Sequence, residues 1–87
     1  MALRTRKQGL ALVQQIAEKY GPDILALLPQ ASGRSLTFGA SNLQGEAANA
    51  VADTGAITFD KHFLRNATLA DLRGATIHET THAYGAG

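Results

Sequence analysis

Residues 68–85, TLADLRGATIHETTHAYG, decide how the C-terminal part of this chain folds. Thr68, followed three residues later by Asp71, forms the pattern of a capping box at the beginning of a helix. Gly85 stands where such a helix would end, because glycine readily adopts the left-handed conformation that follows many helices. We therefore predict a helix of about four turns over this stretch. One side of this helix would consist of Leu69, Leu72, Thr76, Thr80 and Ala83.

The opposite side of this helix carries two histidines in the sequence His78-Glu79-Thr80-Thr81-His82. Each residue turns a helix by about 100°, so His78 and His82 lie within about 40° of each other and both rings reach one Zn²⁺ ion. Glu79 lies on the flank nearer His82, beside the metal without binding it. A carboxylate in that position accepts the proton of a water that the metal activates for attack on a carbonyl. The spacing predicts His78 and His82 as zinc ligands and Glu79 as the general base.

The HExxH pattern and Gly74 each have an explanation that does not involve catalysis. The five-residue pattern also arises by chance, on the order of once in a few hundred chains of this length. Gly74 costs about 1 kcal/mol relative to alanine inside a helix. Its presence favours close approach of another backbone or of a substrate, or else ordinary packing of the helix on a sheet.

Gly55-Ala56-Ile57-Thr58-Phe59-Asp60, upstream of the helix, alternates apolar and polar residues as a strand does. With this strand included, residues 55–85 resemble the core of a zincin metallopeptidase. In that superfamily an edge strand precedes the HExxH helix and binds peptide by strand addition. The resemblance therefore implies that Ile57, Thr58, Phe59 and Asp60 bind substrate and that the chain contains part of a zincin domain.

Together with His78-Glu79, the stretch from His82 to Gly87 also follows the metzincin pattern HExxHxxGxxH. It matches this pattern up to the residue before the third histidine. The same layout is similar to small HExxH domains at the ends of bacterial polymorphic toxins. Catalytic zinc sites ordinarily have three protein ligands. Within this chain the remaining candidates for a third are His62, Asp60, Asp53 and Glu46. His62 is the best of them by chemical type, and a second copy of the chain is another source.

The N-terminal half is predicted to be scaffold. Residues 5–20 place apolar side chains at helical spacing, and Gly21-Pro22 is expected to end that helix. A second short helix is expected from Pro22 to Leu28. Residues 35–39 alternate as a strand, whereas residues 41–54 fit either a short helix or an irregular hairpin arm. The predicted fold is α+β: N-terminal helices packed on a small sheet, with a C-terminal HExxH helix, in one domain spanning residues 1–87.

Large core side chains are few in this chain. It has 87 residues, no tryptophan, no cysteine and three phenylalanines. A chain of this size buries only about 60–65% of its unfolded surface and has no disulfide to compensate. We expect the front part of a longer peptidase domain, marginally stable alone and prone to form a dimer or higher oligomer.

Charge and hydropathy restrict the classes of partner and the cellular location that we expect. The net charge is +1, and the basic residues Arg4, Arg6 and Lys7 have no aromatic residues between them, so we expect no nucleic acid partner. The run from Leu10 to Val13 is too short for a signal peptide or a membrane span. The default location is the cytoplasm, or outside the cell if the chain belongs to a larger toxin-like parent.

The sequence thus predicts a zinc-dependent peptidase domain that acts on peptide or protein substrates, with Zn²⁺ as cofactor. The alternative is a catalytically silent, self-associating module that keeps the HExxH helix without a complete metal site.

Overall fold

In a computed structural model, which describes residues 1–28 and 33–85, the chain has an α+β fold. The predicted fold class is confirmed, including the small sheet and the C-terminal helix that carries the histidines. In chain order, the elements of the described residues are α1 Arg6–Leu27, β1 Thr37–Ser41, β2 Ala48–Val51, β3 Ala56–Asp60, α2 Lys61–Asn66 and α3 Leu69–Ala83.

The sheet has the order β1-β3-β2, with β1 parallel and β2 antiparallel to the central strand β3. Its register aligns Phe38, Ile57 and Ala50 in one row across the strands. The next row on the same face contains Ala40, Phe59 and Ala48. This face packs on the core, in which Ile57 and Phe59 are fully buried.

The core combines one face of the sheet with all three helices. Its fully buried members are Val13, Ile57, Phe59, Leu64, Leu72 and Ala83. None of the helices in the described residues combines the length and apolar composition needed to cross a membrane.

Helix α1 is continuous, so the predicted break at Gly21-Pro22 is wrong. Thr5 caps its N-terminus in a capping box with Gln8. The buried side of α1 continues at helical spacing past Pro22, and tertiary packing along that side compensates for the backbone hydrogen bond that proline removes. The buried residues are Gly9, Val13, Ala17, Gly21 and Ile24.

The short helix α2 was not predicted. Asp60 caps it by accepting a hydrogen bond from the Phe63 N–H at 3.0 Å, and also accepts one from the Leu43 N–H at 3.0 Å. The same carboxylate therefore ties the segment between β1 and β2 to the beginning of α2. These two hydrogen bonds, the one from Phe63 foremost, hold the pKa of Asp60 below its ordinary value of 3.8.

Both predicted ends of α3 are confirmed. The Thr68 hydroxyl accepts from the Asp71 N–H at 3.1 Å, and Gly85 has φ of 96° just beyond the C-cap. Of the five residues predicted to share one side of α3, Leu72, Thr76, Thr80 and Ala83 are buried. Leu69 is instead 60% exposed, because it lies in the first turn beside an open groove between α1 and α3.

Two glycine substitutions should have opposite effects on stability. A Cβ at Gly9 would lie 2.6 Å from the carbonyl oxygen of Leu64, so Gly9→Ala should destabilise the fold by about 1–3 kcal/mol. A Cβ at Gly74 would meet no atom within 4 Å, so Gly74→Ala should stabilise it by about 0.5–1 kcal/mol. Chemical denaturation followed by circular dichroism measures both. Equal effects of the two substitutions would contradict the close contact between α1 and α2.

Replacing Asp60 should change how stability depends on pH. The folded-state pKa lies below the unfolded one, so the ionised carboxylate stabilises the fold above about pH 4, and this contribution is lost as the pH falls through the folded-state pKa. Asp60→Asn can still cap α2 but has no charge. Denaturation of both proteins from pH 7 to pH 2 should show a stability difference that shrinks in acid. A constant difference would mean that the charge of Asp60 contributes nothing.

Candidate metal-binding and catalytic site

The histidine pair lies on the outer face of the last two turns of α3. The Nε2 atoms of His78 and His82 are 3.2 Å apart, and their rings meet edge to face with centroids separated by 4.6 Å. His78 is exposed and His82 is half-buried. The two Nε2 atoms therefore lie next to each other on a part of the helix surface that solvent reaches.

This separation fits two ligands of one zinc ion. Nitrogen ligands at about 2.0–2.1 Å from a tetrahedral zinc lie about 3.3–3.4 Å from each other. The observed 3.2 Å is also within hydrogen-bonding distance, in which one Nε2 donates to the other. The distance alone is therefore compatible with two ligands of one metal ion and with a direct hydrogen bond between the rings.

The inner face of α3 fixes the direction of this pair. The hydroxyl of Thr76 donates to the Leu72 carbonyl at 2.6 Å, and that of Thr80 donates to the Thr76 carbonyl at 2.7 Å. Both polar side chains are therefore satisfied while fully buried. Because the threonines face the core, the histidines at neighbouring positions face outward.

Glu79 lies partly buried beside the histidines. Burial raises the pKa of its carboxyl above the ordinary value of 4.5, the two histidines oppose the shift, and the nearby carboxylate of Glu46 adds to it. Glu46 precedes β2, and its Oε2 accepts a hydrogen bond from the Asn49 amide at 3.4 Å. A raised pKa makes the Glu79 carboxylate a stronger base toward a water held near the histidines.

The strand that was expected to lie at an edge of the sheet is the central one, so its predicted edge position is wrong. Ile57, Thr58, Phe59 and Asp60 belong to β3, which pairs with β1 on one side and β2 on the other. Its main chain has no free side for an added strand. The physical reason is that residues 41–54, which the sequence left ambiguous, supply the additional strand β2.

The edge strand packed against α3 is β2. The Asp60 N–H donates to the Ala47 carbonyl at 2.8 Å, which marks that pair as a hydrogen-bonded one. Hydrogen-bonded and non-hydrogen-bonded pairs alternate in an antiparallel ladder, so Ala48 and Ala50 direct their N–H and C=O groups away from β3. Sequence reasoning missed these groups, since the short run Ala48–Val51 is too rich in alanine to indicate a strand.

The structure does not bring His62 to the histidine pair. His62 lies in the first turn of α2, where its Nδ1 is 3.2 Å from the Asn66 amide nitrogen. Throughout residues 1–28 and 33–85 no group of three His, Cys, Asp or Glu side chains is arranged to hold a metal. The other upstream candidates, Asp60, Asp53 and Glu46, likewise form no such group there. Residues 86 and 87 of the metzincin-like stretch lie outside the described residues.

Tyr84, two residues after His82, is buried and packs on α1. A Cβ built on Gly21 would lie 3.1 Å from its hydroxyl oxygen, so the small glycine makes room for the ring. This contact joins the C-terminal ends of α1 and α3 and anchors the turn that carries the histidines.

Comparison with known proteins returned no similarity. No protein-family profile matches the chain. No curated protein and no solved structure is significantly similar to it.

Zinc binding should depend on the α3 histidines and not on His62. We expect His78→Ala and His82→Ala each to weaken zinc affinity by more than about tenfold, because each removes one of two ligands. His62→Ala is the matched control and should bind zinc as the parent does. Isothermal titration with zinc measures all four proteins. A loss of affinity in His62→Ala as large as in the other variants would contradict the geometry described above.

Proposed function

We propose that this chain is the zinc-binding and catalytic part of a zincin-type peptidase. The observation that carries the proposal is the 3.2 Å separation of the His78 and His82 Nε2 atoms on an open helix face, where two zinc ligands would lie. The resemblance of the HExxH segment to zincins supports the same assignment. That resemblance also implies an edge strand that binds substrate, and in the described residues the edge strand packed against the motif helix is β2.

Each residue of the motif has a separate task in this proposal. His78 and His82 hold the metal through Nε2. Zinc, when bound, polarises the scissile carbonyl and lowers the pKa of water at its open position. Glu79 accepts the proton of the attacking water and delivers it to the leaving amine. Partial burial raises the pKa of Glu79, which suits a group that takes and returns a proton.

The substrate in this proposal is an extended peptide. The outward N–H and C=O groups of Ala48 and Ala50 would pair with its main chain, as a sheet edge does in strand addition. The methyl side chains of these alanines pack toward the core, so they do not obstruct the edge. Because β2 packs on α3, a peptide on this edge lies on the side of the sheet next to the motif helix.

A specific observation also favours the second hypothesis, a catalytically silent module. The described residues supply only two of the three protein ligands that catalytic zinc sites ordinarily have. In the peptidase hypothesis the third ligand comes from outside the described residues. In the silent-module hypothesis there is none, and zinc affinity is correspondingly weak.

Glu79→Gln separates the two hypotheses. For a peptidase, the zinc-loaded parent should cleave members of a mixed peptide library, and Glu79→Gln should lower the rate by about 10²–10⁴-fold. Zinc affinity should be unchanged, because Glu79 does not bind the metal. Cleavage products are measured by mass spectrometry, and zinc by titration.

Glu18→Gln, an exposed position on α1, is the matched control and should cleave at the parental rate. Weak zinc binding with no cleavage by the parent would overturn the peptidase proposal and leave the silent module. Cleavage that survives Glu79→Gln would remove Glu79 from the role of general base.

A further inference from the structure

A second, separate feature is an open cleft of about 790 Å³ at the N-terminal end of α1. Five of the eight Lys and Arg residues of the chain line this cleft, and no Asp or Glu does. The whole chain has a net charge of only +1, so its positive charge is concentrated at one place. We call it the basic cleft, and its five cationic residues are Arg4, Arg6, Lys7, Lys61 and Arg65.

Hydrogen bonds hold together the two segments of the chain that line the basic cleft, one at the N-terminus and one at α2. The N–H groups of Leu3 and Arg4 both donate to the Arg65 carbonyl, at 3.0 and 3.2 Å. The Arg4 guanidinium donates through Nη1 to the Leu64 carbonyl at 2.9 Å. These bonds hold the segment before α1 against the end of α2, so the cationic side chains are gathered by folding and not only by proximity in sequence.

Two of these cations lie at a helix N-terminus, where the helix dipole disfavours positive charge. Arg6 and Lys7 occupy the first turn of α1, which contains no acidic residue. Lys61 differs from them, because it follows Asp60, whose carboxylate already caps α2. The N-terminus of a helix carries partial positive charge, so cations there repel it and an anion is favoured. The Gln8 N–H donates to the Thr5 hydroxyl and the Gly9 N–H to the Thr5 carbonyl, which leaves the N–H groups of Arg6 and Lys7 without an acceptor one turn earlier in the helix. Both the side chains and the backbone thus favour a bound anion.

We propose that the basic cleft binds a ligand that carries two or more phosphate groups. Five cations in one cleft match a compact ligand of high charge density, and arginine pairs with phosphate through two parallel hydrogen bonds. An acidic peptide spreads its charge along an extended chain. Single-stranded nucleic acid is bound through aromatic side chains on which its bases stack, and none lines this cleft. The phosphates belong either to a free anion or to a lipid headgroup. Leu3, an exposed apolar side chain next to the cleft, would contact the membrane surface if the ligand is a headgroup.

Charge reversal at two helix beginnings tests this proposal without endangering the fold. In the double variant Arg6→Glu with Lys61→Glu, the first substitution places an acidic residue in the first turn of α1, where it stabilises the helix. The second places a carboxylate beside that of Asp60, and repulsion between the two offsets part of this gain. The variant should therefore unfold close to the parental temperature while losing the anion site. Lys19→Glu with Arg73→Glu is the matched control, because it makes the same change in net charge at residues that line a different groove.

Isothermal titration with tripolyphosphate is the first arm. We expect saturable binding by the parent and the control, and affinity at least about tenfold weaker in the Arg6→Glu, Lys61→Glu variant. Sedimentation with phosphatidylcholine vesicles, with and without phosphatidylinositol bisphosphate, is the second arm. Binding to the phosphoinositide vesicles that the same double variant loses would identify a headgroup as the source, and tripolyphosphate binding alone would identify a free anion.

Other results would overturn the proposal. Absence of binding in both arms, or equal loss in both double variants, would mean that the basic cleft is an ordinary solvated surface. Tighter binding of a single-stranded oligonucleotide or of a polyglutamate peptide than of tripolyphosphate, at equal ionic strength, would assign the cleft to that class instead. The proposal does not depend on the peptidase assignment, because neither arm measures cleavage.

Discussion

The structure depends on how α3 is rotated about its own axis. Four residues spaced three or four apart bury one side of this helix against α1 and the sheet: Leu72, Thr76, Thr80 and Ala83. Two of the four are polar, and they are accommodated because each hydroxyl donates to a carbonyl one turn earlier. A different rotation would expose Leu72 and place an imidazole in the core, where an unpaired ring nitrogen is costly. Burial of the threonine face therefore sets the outward direction of His78 and His82.

The strand order of the sheet determines which strand lies next to this helix. Because β3 lies between a parallel and an antiparallel neighbour, its apolar residues are buried in the core and its backbone is fully engaged. The antiparallel hairpin then places β2 at the edge next to α3. The arrangement that we propose for catalysis, a histidine pair beside an open strand edge, thus follows from which strand lies at the centre. Within the described residues the fold brings no group of three His, Cys, Asp or Glu side chains together.

Helix α1 connects the two features for which we propose functions. Its C-terminal part makes room at Gly21 for Tyr84, which anchors the end of the histidine helix. Its first turn lines the basic cleft, with α2 held close at Gly9. The two glycines are twelve residues apart, which is about 18 Å along a helix. Helix α1 therefore contacts the histidine helix in its C-terminal part and lines the basic cleft at its N-terminal end.

The sequence by itself determined the features that depend on short-range periodicity. Thr68 and Gly85 located α3, the spacing of His78 and His82 placed both on one face, and alternation located β1 and β3. Only the tertiary structure decided the rest. Whether a strand is central or at an edge depends on which segments pair with it, and the weakly patterned run Ala48–Val51 took the edge. Packing of Gly21 and Ile24 carried α1 through Pro22 against local propensity. The gathering of Lys61 and Arg65 with the N-terminal cations, and the separation of His62 from the α3 histidines, are long-range consequences of folding that no local pattern encodes.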